Sequence, residues 1–274
     1  MSTWRGEPET PTDPINTVGW MLVLLRAPLL FVLIFGGLSV LLLVRLMEQP
    51  LFSPSRPVTP FITQVVCKMT LRIIGLHVRR RGNLSKRAAA VVCNHSSWLD
   101  IFVLNAGQRV YFVSKAEVAR WPGISWLAKA TGTLFISRRA GDAARQRDVF
   151  ASRIKAKHQL LFFPEETSTD GLRVLDFKST LFAAFFTRSF EDMSIQPVTV
   201  RYTAPDNEYP SYYGWWGGMD FAPHMLKVVS RWRQGSVDVV YHRPVNLSDQ
   251  KDRKKLAKAC EDAVKFGFEE LRQT

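Results

Sequence analysis

Residues 20–44 are apolar with the single exception of Arg26, and no charge interrupts 27–44. A run of that length is what an α-helix needs to enter or cross the hydrocarbon of a bilayer, so the remainder of the chain must be built beside a membrane. Residues 1–19 are rich in Pro, Thr and acidic groups, with Arg5 the only basic side chain, and read as a poorly ordered tail. They lack the basic region of a cleaved signal peptide, and no small-residue cleavage site follows the apolar run. Arg45, Arg56, Lys68, Arg72, Arg79, Arg80 and Arg81 follow it instead. The positive-inside rule therefore places the bulk of the chain on the cytoplasmic side. Pro28 and Gly36-Gly37 leave open whether the segment spans the bilayer or turns back within one leaflet.

Residues 20–57 thus read as an anchor and 58–274 as the folded domain. The domain opens with 61–76, where Phe61, Val65, Val66, Met69, Ile73 and Leu76 recur at helical spacing while Lys68 and Arg72 occupy another face. Such a helix can lie in the membrane interface or pack on the domain. Beyond it, short apolar runs at 88–93, 110–113, 133–136, 159–163, 194–202 and 236–242 predict strands. Helical periods at 98–106, 123–130, 140–158, 177–188, 221–232 and 249–272 predict helices between them. The alternation predicts an α/β fold with a mostly parallel central sheet flanked by helices. Residues 88–93, apolar at every position, suit a strand buried on both faces.

The chemistry gathers where these strands end. Asn94-His95-Ser96-Ser97-Trp98-Leu99-Asp100 follows the first of them. A histidine and a carboxylate at a strand-to-helix turn stand where open α/β sheets place their ligands. The carboxylate can fix the histidine tautomer while the other ring nitrogen takes a proton from a nucleophile. Ser97-x-x-Asp100 is equally a capping pattern, and taken alone the stretch leaves both accounts open. Gly132-Thr133-Leu134-Phe135-Ile136-Ser137-Arg138 delivers Arg138 beyond a strand, where a guanidinium fork can bind phosphate or carboxylate. Phe163-Pro164-Glu165-Glu166-Thr167-Ser168 sets two carboxylates side by side; like charges resist joint ionisation, so a cation or donor is needed, for which Arg138 and substrate are the candidates. An exposed turn before Asp170-Gly171 is the other account. Lys115 follows the strand at 110–113, and Tyr212, Tyr213, Trp215 and Trp216 suit a membrane interface, an acyl chain or a cover for the sheet edge.

Together with Ile195-Gln196-Pro197-Val198, these blocks resemble, in order, the four blocks of the glycerolipid acyltransferase family, typified by 1-acylglycerol-3-phosphate acyltransferases. The chain departs from the pattern at Glu166, where the family has glycine. The resemblance implies transfer of an acyl group from an acyl-carrier protein or coenzyme A thioester to a lysolipid hydroxyl, without metal or redox cofactor. It implies His95 as the base and Asp100 as its orienter. Arg138, Glu165, Glu166, Thr167 and Ser168 would hold the acceptor, with Lys115 near the cleft. Thr169-Asp170-Gly171, Arg173-Val174-Leu175 and the stretch from Trp216 to His224 are closer to the bacterial branch that O-acylates lyso-aminolipids such as lyso-ornithine lipid; 1-acylglycerol-3-phosphate is the alternative acceptor. A second carboxylate at 166 would repel a phosphate monoester and suit an ammonium.

A net charge of +13 and a pI near 10.0 call for anionic partners: lipid head groups and an acidic thioester donor. Nucleic acid is disfavoured, because no zinc-finger, ribonucleoprotein or helix-turn-helix pattern accompanies the charge. Cys67, Cys93 and Cys260 are odd in number and scattered, which fits neither a disulfide framework nor a metal site and suits a reducing compartment. A hydrolase using the same His-Asp pair would need a Gly-x-Ser-x-Gly elbow, which the sequence lacks. A non-enzymatic membrane scaffold would explain the apolar run and the charge but not four ordered blocks.

Overall fold

The computed structural model describes residues 4–9, 13–121, 123–136, 143–186 and 190–273, the side chains of 143–147 excepted. The apolar run forms α1 (Thr17–Phe52), begun by the Asn16 side chain, which accepts from Gly19 N at 2.8 Å. Its 36 residues make it about 54 Å long at 1.5 Å per residue. It runs unbroken through Pro28 and Gly36-Gly37, so the chain turns back only after Phe52. Leu24, Leu25, Phe31, Val32, Leu42 and Leu43 are exposed on its outer side, and it is the one helix among the described residues long and apolar enough to cross a membrane.

α2 (Thr59–Ile74) lies antiparallel against α1. Glu48 accepts from Val58 N, Thr59 N and Thr59 Oγ1 at one end of the pair; Gly37 sits beneath Val66 in the middle, where a Cβ would come within 2.5 Å of the valine methyl. The helix buries Cys67, Thr70, Leu71 and Ile74, whereas Phe61, Val65 and Met69 face outward beside exposed Lys68 and Arg72. The apolar positions expected on one face are thus divided: α2 packs on the domain with one side and offers an apolar, basic-flanked stripe with the other. Val23 and Leu30 of α1 join Leu71, Ile74 and the sheet residues Val91 and Val198 in one core. The segment read as an anchor is therefore also part of the domain's own packing.

β1 (His77–Arg81), β2 (Ala88–Cys93), α3 (Leu99–Gly107), β3 (Val110–Lys115), α4 (Ile124–Thr131), β4 (Leu134–Ile136), α5 (Ala143–Lys155) and β5 (Gln159–Phe162) follow. The chain is completed by β6 (Ser194–Thr203), α6 (Phe221–Ser230), β7 (Ser236–Tyr241), β8 (Val245–Asn246) and α7 (Arg253–Gln273). The strands form one sheet in the order β1-β7-β6-β2-β5-β3-β4, with β8 beside β6. Pairing is parallel from β6 through β2, β5 and β3 to β4; β6 and β7 are antiparallel, and β1 runs parallel to β7. Successive β2 residues divide between two cores, Val91 and Cys93 toward the helices at the N-terminal side, Ala90 and Val92 toward α5 and α7. The α/β fold is the one expected.

Three elements differ from the sequence reading. The run Arg79, Arg80, Arg81 belongs to the edge strand β1, where Arg79 grips Asp238 at 2.6 Å and 2.9 Å. The aromatic stretch expected as a helix over 177–188 gives only a 3-10 turn, Leu181–Phe185, because Phe177 N is tied to Glu261 and Lys178 N to the Pro164 carbonyl; 187–189 lie outside the described residues. The C-terminal helix begins at Arg253, since Asp252 Oδ1 accepts from Lys254 N and Lys255 N and ends the preceding loop.

Candidate active site

β2 and β5 are neighbours in parallel register, Val92 opposite Phe162, so the loops that follow them leave the same edge of the sheet. Asn94 prolongs β2 with its side chain: Nδ2 donates to the Val200 carbonyl and Oδ1 accepts from Val200 N, both at 2.8 Å. This locks the turn to β6 and presents the next residue, His95.

Asp100, in the first turn of α3, is fully buried. Its Oδ2 meets His95 Nδ1 at 2.7 Å and accepts from Ser96 N at 2.9 Å and Ser97 N at 3.0 Å, while Oδ1 accepts from the Tyr202 hydroxyl at 2.7 Å. The two accounts of Asp100 hold together: it caps the turn and it orients the histidine. With a carboxylate as its partner Nδ1 carries the proton, leaving Nε2 with a lone pair. The ring stacks on Phe163 with centroids 4.0 Å apart, and its side chain is 19% exposed while that of Asp100 is 0%. A lone-pair nitrogen reachable from outside, held by a buried carboxylate, is a general base with its orienter. Burial and the neighbouring Asp100 charge push the Tyr202 hydroxyl well above its usual range, so it stays a proton donor.

The third block holds the same residue from behind. Glu165 is buried, with Oε1 accepting from His95 N at 2.7 Å and Oε2 from Leu175 N at 2.8 Å; Thr169 N donates to the His95 carbonyl at 3.0 Å. Both backbone groups of His95 are thereby fixed. Burial drives the Glu165 carboxyl up to about 8, against the pull of the two amides. The donors that meet Glu165 among the described residues are backbone amides, and its side chain braces the turn.

Glu166 sits at φ +61°, in the left-handed region that favours glycine, and its carbonyl takes the Lys115 Nζ at 2.5 Å. Lys115, at the end of β3, is thus joined to the block. Thr167 Oγ1 accepts from Trp4 N at 3.1 Å and donates to the Ser168 carbonyl at 3.2 Å; Ser168 Oγ donates to the Trp215 carbonyl at 2.5 Å. These two hydroxyls stitch loops together. Arg138 lies outside the described residues.

Three participants escaped the sequence reading. Tyr202 shares a face with Val198 and Val200 by strand alternation, but nothing in a sequence says that this face meets Asp100. Trp98 donates from Nε1 to His224 Nδ1 at 2.9 Å, and burial holds His224 down at about 4, neutral and able to accept. Residues 4–9, expected within a loose tail, rest on Thr167 and on the 215–218 loop. The last of these loops is fastened to the His-Asp turn itself, Trp215 N donating to the Ser96 carbonyl at 2.9 Å.

A family model described as acyltransferase matches residues 75–201. The chain is 52% identical over 266 residues to a lyso-ornithine lipid O-acyltransferase of Rhodobacter capsulatus, covering 97% of this chain and 96% of that one. A protein of the same description from Pseudomonas aeruginosa is 32% identical over 252 residues, 90% of this chain and 93% of the other. Among solved structures, the 1-acyl-sn-glycerophosphate acyltransferase of Thermotoga maritima superposes with a TM-score of 0.66 at 20% identity, over 93% of this chain and 97% of that one, and so shares the fold.

Proposed function

The chain belongs to the acyltransferase family and is a lysolipid acyltransferase; from that premise we propose that it acylates the free hydroxyl of a lyso-aminolipid of the lyso-ornithine type. The observation that carries the chemistry is the His95–Asp100 pair at 2.7 Å on the shared edge of β2 and β5. His95 Nε2 takes the proton of the acceptor hydroxyl as its oxygen attacks the thioester carbonyl. The new O–C bond forms, the C–S bond breaks, and the proton passes from His95 to the leaving thiolate. Asp100 stabilises the imidazolium between these events. The donor in this reading is an acyl-carrier protein or coenzyme A thioester, matched in charge by the basic chain.

The acceptor assignment draws on the names of the two relatives and on Glu166, whose carboxylate disfavours a phosphate monoester. Arg138 and Glu166 are assigned to the acceptor side, with Lys115 holding the Glu166 backbone. The basic residues that follow the apolar run in sequence, Arg45, Arg56, Lys68 and Arg72, support an inner-membrane enzyme whose domain faces the cytoplasm.

The test is to incubate the purified protein with lyso-aminolipid or lysophosphatidic acid and a radiolabelled acyl thioester. O-acylated aminolipid is expected; exclusive use of lysophosphatidic acid moves the acceptor, free fatty acid indicates a hydrolase, and silence contradicts the enzyme. His95→Ala should lower turnover by about 10²–10⁴-fold and Asp100→Asn by a comparable order, with the fold retained. His95→Ala keeping more than about a tenth of the rate would remove the base.

A further inference from the structure

The segment ahead of α1 is seated on the catalytic domain by four hydrogen bonds. Trp4 N donates to Thr167 Oγ1 at 3.1 Å and the Trp4 carbonyl accepts from Gly217 N at 3.2 Å. The Glu7 carbonyl accepts from the Trp216 indole at 3.1 Å, and Glu9 Oε1 accepts from Gly218 N at 2.8 Å. The Trp4 ring lies 6.5 Å from that of Trp216 and 5.1 Å from the Arg173 guanidinium, which also pairs with Glu7 at 3.1 Å. Gly217 has φ +63°, in the left-handed region that favours glycine, and lies against the Glu9 carboxylate.

Between the segment and this glycine pair lies a cleft of about 360 Å³ lined by Arg5, Glu7, Pro8, Glu9, Gly217 and Gly218. Two short links tie it to the reacting centre. Thr167 stands two residues beyond Glu165, which holds His95 N, and Trp215 adjoins Trp216 and holds the Ser96 carbonyl. The cleft walls carry both signs, one guanidinium and two carboxylates, on a chain whose net charge is +13. With Glu7 shared by Arg173, a phosphate monoester would meet the attraction of Arg5 and the repulsion of Glu9 together. A head group with one carboxylate and one ammonium finds an opposite charge for each.

We propose that residues 4–9 form one wall of the acceptor head-group subsite, Glu7 and Glu9 receiving the ammonium and Arg5 the carboxylate of an amino-acid head group. This rests on the lyso-aminolipid reading above, and it places specificity in a segment outside all four sequence blocks.

The full-length enzyme in detergent micelles provides the test, with two acceptors: the lyso-aminolipid and the same molecule with its amine acetylated, which removes the ammonium. For the double variant Glu7→Gln, Glu9→Gln, KM for the lyso-aminolipid is expected to rise about tenfold with kcat little changed, while the acetylated acceptor keeps its constants. Unchanged constants in the double variant, or an equal loss with both acceptors, would overturn the subsite while leaving the acceptor assignment intact. A wild-type enzyme unable to acylate the lyso-aminolipid would instead remove that assignment, and the subsite with it.

Discussion

Asp100 receives four hydrogen bonds, and the one from Tyr202 separates positioning from capping. Tyr202→Phe leaves the backbone cap in place but strands a buried carboxylate oxygen, which costs about 1–3 kcal/mol of stability. With that donor gone the carboxylate is less firmly aimed at the imidazole it orients. The fall expected in kcat, with KM unchanged, is therefore larger than the loss of folded protein accounts for. A stability loss with kcat unchanged per folded molecule would confine Tyr202 to the fold. The groups facing this centre from the surrounding elements are Cys93, Glu165 and Tyr213. Glu166 offers the opposite experiment. A non-glycine residue at φ +61° is strained by about 1–2 kcal/mol, part of which returns as unfolded-state entropy on substitution by glycine. Glu166→Gly should thus raise Tm by up to a few degrees in a thermal melt; if the residue also selects the head group, it should shift kcat/KM about tenfold toward lysophosphatidic acid. His95 and Asp100 were legible because five positions of spacing across a strand-to-helix turn suffice to bring them together. Tyr202 was not, being 102 positions away on another strand. Glu165 was legible as a position, but its bonds to His95 N and Leu175 N were not, because a sequence does not tell which way a turn residue points.

Among the elements, α1 shows how a charge can belong in an apolar helix. Arg26 interrupts the apolar run, and its Nη1 donates to the carbonyls of Val229 at 3.0 Å and Arg231 at 2.6 Å, the open C-terminal end of α6. A cation there satisfies carbonyls that the helix leaves unpaired and opposes the negative end of its dipole. Arg26→Met keeps the length and apolarity of α1 while removing that clip. It is expected to destabilise the protein by about 1–3 kcal/mol, read as a lower Tm in detergent, and to open the 231–235 loop to protease. Unchanged melting and cleavage would show that α1 is held by apolar packing alone. The helix itself was legible from length and hydrophobicity, but its partner was not, since periodicity has little to say about a helix apolar on all sides. β1 was hidden for the converse reason: three arginines in five residues read as a charge cluster, and only pairing with β7 makes them a strand. At 177–188 the aromatic content suggested a helix, but long-range bonds from Glu165 and Glu261 to Leu175 N and Phe177 N draw the approach to that stretch straight.

For the whole molecule, the buried titratable groups set opposing slopes. Burial lifts Glu165 up to about 8, so the folded state keeps a proton that the unfolded chain has released; this stabilisation is full below the ordinary 4.5 and is lost as pH rises to 8. Burial holds His158 and His224 down at about 4, so their contribution is full above the ordinary 6.5 and is lost as pH falls to 4. Between 4.5 and 6.5 these histidines, joined by His242, which burial also holds low, outweigh one glutamate, and above 6.5 the glutamate sets the slope, so stability is expected to peak near 6.5. Each pH unit on the alkaline side costs at most about 1.4 kcal/mol, and Glu165→Gln should flatten that side. Chemical denaturation across pH measures this directly, and an alkaline slope that survives in Glu165→Gln would assign it to another group.

The edge strand β1 has a consequence for how many copies can share a surface. An enzyme gathered on lipid meets its own kind in two dimensions, at local concentrations far above those in solution, and an open parallel edge is an invitation to polymerise. Here the outermost strand carries Arg80 and Arg81 beside the Asp238-paired Arg79, so two such edges brought together repel. The same arginines that make the chain basic also set one β1 edge against another.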